Sequence, residues 1–132
     1  MLNSKSEARN SKLKGVVHCY TGTAEQAQRF IEKGLYIGFN GLIFKKVPAL
    51  PNPEEVVLSI PLERILLETD SPYLAVPARI RQLAEKAGLT PSERNEPLFV
   101  KYIAEEIARI KDISFEEVAR ATTQNAKSLF GI

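Results

Sequence analysis

The sequence predicts an α/β fold of about three parallel strands with surrounding helices. Two observations lead there. Short apolar runs near 15–19, 35–39 and 65–68 are separated by helical patterns, an alternation that argues for a parallel sheet with right-handed crossovers. Polar residues able to do chemistry follow those runs: His18, Asn40, and the pair Glu68 and Asp70. In parallel α/β folds the C-terminal ends of strands are where sites are built. A length of 132 residues suits one domain, and 44% hydrophobic with 26% charged residues can form a core.

The elements follow in order. Residues 1–14 form a polar arm in which Lys5, Arg9, Lys12 and Lys14 outnumber Glu7. Such an arm reads as solvated chain, the other reading being a mitochondrial presequence. Gly15-Val16-Val17-His18-Cys19 is a short β-branched strand run closed by the turn Thr21-Gly22. Thr23 and Gln26 make a capping box, so a helix is expected over 24–33, buried through Ala24, Ala27, Phe30 and Ile31 and stopped by Gly34. Residues 35–39 are the second strand, with Asn40-Gly41 as a turn and 42–51 as a loop holding Lys45 and Lys46. Asn52-Pro53-Glu54-Glu55 starts a short helix that ends near Ser59. Ile65-Leu66-Leu67 is a buried strand followed at once by Glu68 and Asp70. Helices are then expected over 77–87 and 96–111, the second capped by Asn95 and opened by Pro97. Its stripe of Val100, Ile103, Ala104, Ile107 and Ile110 belongs to the core. A capping box at Ser114 and Glu117 starts a short helix through Ala121, and 125–130 adds a last helical turn or two.

Composition excludes several classes. A net charge of +2 argues by itself for neither nucleic acid nor membrane. No run approaches the roughly 18 apolar residues of a membrane span. One cysteine, Cys19, allows no internal disulfide, and one histidine, His18, allows no multi-histidine metal site within a single copy. The expected compartment is the cytoplasm or another reducing one, with mitochondrion and nucleus left open.

Histidine and carboxylates converging at strand ends can hold a divalent metal or move a proton. Each residue also has a plainer reading: His18 as a hydrogen-bonded structural histidine, Glu68 or Asp70 as a cap or surface ion pair. Cys19, next to His18 on a strand, is expected to point to the opposite face, which argues against a Cys–His nucleophile pair. Lys45, Lys46, Arg79 and Arg81 are surface cations that can meet phosphate.

Several motifs together resemble the TatD family of metal-dependent deoxyribonucleases. Gly-Val-Val-His-Cys-Tyr-Thr-Gly (15–22) resembles its sixth strand, and Leu-Tyr-Ile-Gly-Phe-Asn-Gly (35–41) its seventh. Leu-Leu-Glu-Thr-Asp-Ser-Pro-Tyr-Leu (66–74) resembles its eighth-strand signature, the most specific of the set. Arg-Asn-Glu-Pro (94–97) and residues 122–130 match the C-terminal helices. The motifs stand in family order, so the resemblance implies that 15–132 is the C-terminal half of a (β/α) TIM-type barrel hydrolase.

The resemblance further implies two divalent ions (Mg²⁺, Mn²⁺ or Zn²⁺) in the complete site and DNA as substrate. It makes His18 a metal ligand and Asp70 both a ligand and the catalytic residue that orients the attacking water. Glu68, paired with Arg94, and Asn40 are expected behind the ligands, and Lys45, Lys46 and Arg81 are expected as weak phosphate contacts. The family draws further histidines and a bridging glutamate from earlier strands, which a chain with His18 alone does not supply. A full barrel of this type needs about 250 residues. The expectation is therefore weak or absent cleavage by this chain alone, and association with itself or with a chain carrying the missing strands. The alternatives are a non-catalytic scaffold or subunit completing a barrel in trans, and a nucleic-acid-binding module without hydrolysis.

Overall fold

A computed structural model describes residues 12–90 and 94–132. Its sheet has three parallel strands in the order β1 (Val16–Val17), β2 (Tyr36–Phe39), β3 (Ile65–Leu67). Val17 stands opposite Ile37, and Ile37, Gly38 and Phe39 stand opposite Ile65, Leu66 and Leu67. This is the partial barrel expected, with shorter strands.

Among the described residues five α-helices surround it: α1 (Ala24–Glu32), α2 (Pro53–Ser59), α3 (Ala78–Lys86), α4 (Val100–Lys111) and α5 (Phe115–Phe130). Local chemistry sets their starts. The Thr23–Gln26 and Ser114–Glu117 capping boxes both form, and Asn52 caps α2 by accepting from the Glu54 N–H. Among the described residues no helix is long and apolar enough to cross a membrane.

Strand parity divides the sheet into two faces. Ile37, Phe39 and Ile65 point to the helices, where they pack with Val57, Ile80, Phe99, Ile103, Ile107 and Val118 in one core. Burying each such side chain is worth about 1.5–3 kcal/mol. The even-numbered positions face the other way, toward what is the interior in a closed barrel. Gly38 has that parity, and Glu68 continues it one residue past β3, where its N–H still bonds the Phe39 carbonyl.

Four sequence expectations need correction. Residues 41–44 form a 3₁₀ turn rather than open loop, because the Asn40 side chain caps it at the Leu42 N–H. The segment 115–130 is one helix, not two pieces. Asn95 caps nothing: a 3₁₀ turn over Pro97–Phe99 precedes α4, and its N-cap position is Glu96. Cys19 has φ 52 and so leaves strand geometry; alternation does not send its side chain away from the site. Of the stretch expected as a polar arm, 1–11 lies outside the described residues. Leu13 is tied down, its N–H donating to the Lys33 carbonyl at 2.7 Å.

Candidate metal centre

The site is built where β1 and β3 end. His18 follows β1 with its side chain 65% exposed, against 11% for Glu68 and 16% for Asp70. The Glu68 N–H continues the ladder to the Phe39 carbonyl at 2.9 Å. Its side chain leans back across β2 over Gly38, where a Cβ would overlap Oε1 and sit 2.6 Å from Cδ. Crossing there lets Oε1 accept the Cys19 N–H at 3.0 Å and brings Oε2 within 2.5 Å of His18 Nε2. Asp70 stands in the left-handed region, φ 57, and its Oδ1 lies 3.5 Å from the same nitrogen. One nitrogen and two carboxylate oxygens thus lie within 4.8 Å of one another.

Glu68 Oε2 and Asp70 Oδ1 are buried and accept no hydrogen bond. Leaving an anionic acceptor buried without a donor costs more than one hydrogen bond returns, so the pair calls for a positive partner. Protonated His18 is one candidate and a divalent cation another. The donor set of one imidazole and two carboxylates fits Zn²⁺ or Mn²⁺ better than an all-oxygen ion. Burial pushes the Glu68 carboxyl above its ordinary range, and Asp70 adds to this; the Cys19 N–H and His18 oppose it.

Asn40, 3% exposed, supports the cluster. Its Nδ2 donates to Asp70 Oδ2 at 3.0 Å and to Cys19 Sγ at 2.9 Å. One oxygen of Asp70 is therefore held and the other left for the centre. Burial raises the Cys19 thiol, Asn40 opposes that, and the neighbouring Asp70 and Glu68 reinforce it. A thiol held protonated is a poor nucleophile.

The Glu68 carboxylate meets Cys19 and His18, and Arg94 is exposed on the segment before α4. The cations expected to meet phosphate are exposed. An open depression of about 490 Å³ lies over the centre, lined by His18, Thr69, Asp70, Ser71, Tyr73 and Leu74. Lys46 and Arg79 instead line a separate hollow beside Glu54, Glu106 and Arg109, and Lys45 borders the neighbouring apolar groove. Arg81 lies in the first turn of α3.

Sequence reasoning missed two residues. Gly38 makes room for Glu68, and its even parity among the site residues was the available signal. Asn95 donates from Nδ2 to the carbonyls of Thr69 and Tyr73, at 2.5 and 2.8 Å, and so grips the turn that carries Asp70.

Comparison with known proteins shows the family of the chain. The chain is 44% identical over 119 residues to the Bacillus subtilis protein called uncharacterized metal-dependent hydrolase YabD, covering 89% of this chain and 41% of that one. It is 42% identical over 122 residues to the 3'-5' ssDNA/RNA exonuclease TatD of Citrobacter rodentium, covering 92% of this chain and 43% of the relative. With the Schizosaccharomyces pombe deoxyribonuclease Tat-D it shares 38% identity over 131 residues, covering 88% and 41%. Among solved structures, the Escherichia coli TatD homologue YJJV superposes with a TM-score of 0.71 at 27% identity, covering 89% of this chain and 40% of that one. A TatD family hydrolase from Entamoeba histolytica gives 0.72 at 26% identity, covering 96% and 45%. The chain thus spans about two fifths of the length of these relatives. The family model described as TatD related DNase matches residues 1–131, and the chain belongs to that family.

Proposed function

We propose that this chain contributes part of the metal site of a hydrolase that cleaves phosphodiester bonds of DNA. The observation that carries the reading is the pair of buried, hydrogen-bond-free oxygens, Glu68 Oε2 and Asp70 Oδ1, aimed at His18 Nε2. The names of the relatives, a deoxyribonuclease and a single-strand exonuclease among them, support the substrate class.

In this reading His18 and Asp70 are ligands, and Glu68 joins them rather than standing behind. Asn40 holds Asp70 Oδ2, so that Oδ1 keeps its aim. Asp70 is the catalytic residue: its carboxylate accepts from the attacking water and orients it. Bound divalent cations, two in the complete site, would neutralise charge on the phosphate and acidify water. The imidazole favours Zn²⁺ or Mn²⁺ over Mg²⁺. The open depression admits a strand, and Lys45, Lys46 and Arg81 make weak, salt-sensitive contacts to its flanking phosphates. A reducing compartment such as the cytoplasm keeps Cys19 a thiol.

The test has two arms on the purified chain, with Asp70→Asn as control. Mn²⁺ binding should weaken about tenfold or more in the variant. Cleavage of labelled single-stranded DNA should be slow, metal-dependent and absent in the variant, because three ligand atoms hold an ion loosely. Mn²⁺ affinity indifferent to Asp70→Asn, or cleavage that survives it, refutes the reading.

A further inference from the structure

Asn95 is 8% exposed, and both its Nδ2 contacts go to main-chain carbonyls: Thr69 at 2.5 Å and Tyr73 at 2.8 Å. Those carbonyls lie on either side of Asp70. Between them the chain takes a left-handed step at Asp70, φ 57, and the Tyr73 N–H closes back on the Asp70 carbonyl at 2.8 Å. An L-residue keeps such a conformation only where its surroundings fix it. The Asp70 carboxylate is gripped by Asn40 at one oxygen, whereas its backbone is gripped from both flanks by Asn95.

We infer that Asn95 is a positioning residue for the metal centre: it holds the 69–73 turn so that Asp70 Oδ1 faces His18 Nε2. The inference rests on reading His18, Glu68 and Asp70 as a metal site. It also gives the segment before α4 a task other than starting a helix. A control is built into the molecule. Asn125, 7% exposed, donates from Nδ2 to the carbonyls of Leu62 and Ile65, at 2.9 and 2.8 Å. It therefore grips the opposite end of β3 with the same chemistry and the same burial, away from the centre.

The experiment compares Asn95→Ala with Asn125→Ala in the whole 132-residue chain, with Mn²⁺ as the probe. His18 is the only histidine, so its ring signal in a proton NMR spectrum is unambiguous. Both variants should lower the thermal midpoint. Only Asn95→Ala should demand about tenfold more Mn²⁺ to broaden the His18 signal. Without metal, only Asn95→Ala should lose hydrogen-exchange protection at the Tyr73 amide. If Asn95→Ala titrates as wild type, or Asn125→Ala shifts equally, the inference is overturned. If the wild-type His18 signal ignores Mn²⁺, the metal reading falls, and Tyr73 protection reports separately whether Asn95 holds the turn. Should Asn95→Ala not fold, Asn95→Ser, which keeps one donor, should show a smaller shift in the same direction; a wild-type titration there overturns the inference as well.

Discussion

Gly38 lacks a side chain at the point where Glu68 needs the space. The carboxylate crosses β2 there, takes the Cys19 N–H and reaches His18. A methyl at this position must displace Glu68, because strand backbone cannot yield by the overlap involved. Gly38→Ala should therefore destabilise the fold by about 1–3 kcal/mol, the usual range for overpacking. The cost should vanish when Glu68→Ala removes the obstructing group. A double-mutant cycle measured by chemical denaturation reads that coupling; additive costs would mean that Gly38 serves β2 itself. At this scale, the placement of His18, Glu68 and Asp70 at strand ends was legible in the sequence, because each lies within three positions of an apolar run. The reach of Glu68 to His18 was not legible, since it depends on an absent Cβ one strand away. Nor was the grip of Asn95 on the Thr69 and Tyr73 carbonyls: an asparagine two positions before a proline is read most naturally as a cap, and its carbonyl partners are 26 and 22 positions away.

At the scale of elements, the starts of α1, α2, α3 and α5 were legible, and the start of α4 and the interior of α5 were not. The break expected after Ala121 came from a polar run, Thr122-Thr123-Gln124-Asn125. In the fold two of these polar groups are buried and used. Thr122 Oγ1 bonds back to the Val118 carbonyl at 2.8 Å, and Asn125 reaches across to β3. The helix continues because its polar residues find partners that only tertiary structure supplies. Its start carries a pH prediction. The Ser114 N–H and hydroxyl hold the Glu117 carboxyl below its ordinary range. The folded state thus binds that proton less tightly than the unfolded state does. The stabilisation is present above the ordinary carboxylate range and is lost as pH falls through the lowered value. Glu117→Ala should unfold at a lower temperature than wild type at neutral pH and converge on it in acid. Thermal unfolding over a pH series measures the gap, and a gap that does not change with pH would count against the capping box.

For the molecule as a whole, the sheet is what sets the limits. Among the described residues β1 and β3 each pair only with β2, so both outer edges keep unpaired backbone groups. Val16, Val17 and Tyr36 stay partly exposed, as does His18 at the end of β1. Parallel sheets are ordinarily covered on both faces, and open edges recruit strands. The site points the same way: three donor atoms from two strand ends suit a centre completed by other strands, and the matched stretch is only about two fifths of each relative. The isolated 132-residue chain should therefore self-associate as its concentration rises, and a polypeptide carrying the preceding strands of a relative should compete with that association. Sedimentation velocity over a wide concentration range, with and without such a polypeptide, measures both. Association that the added strands suppress would locate the contact at the open edges. A chain that stays monomeric and unfolds cooperatively would show that three strands and five helices are enough for a stable fold. Its metal affinity would then have to come from His18, Glu68 and Asp70 alone.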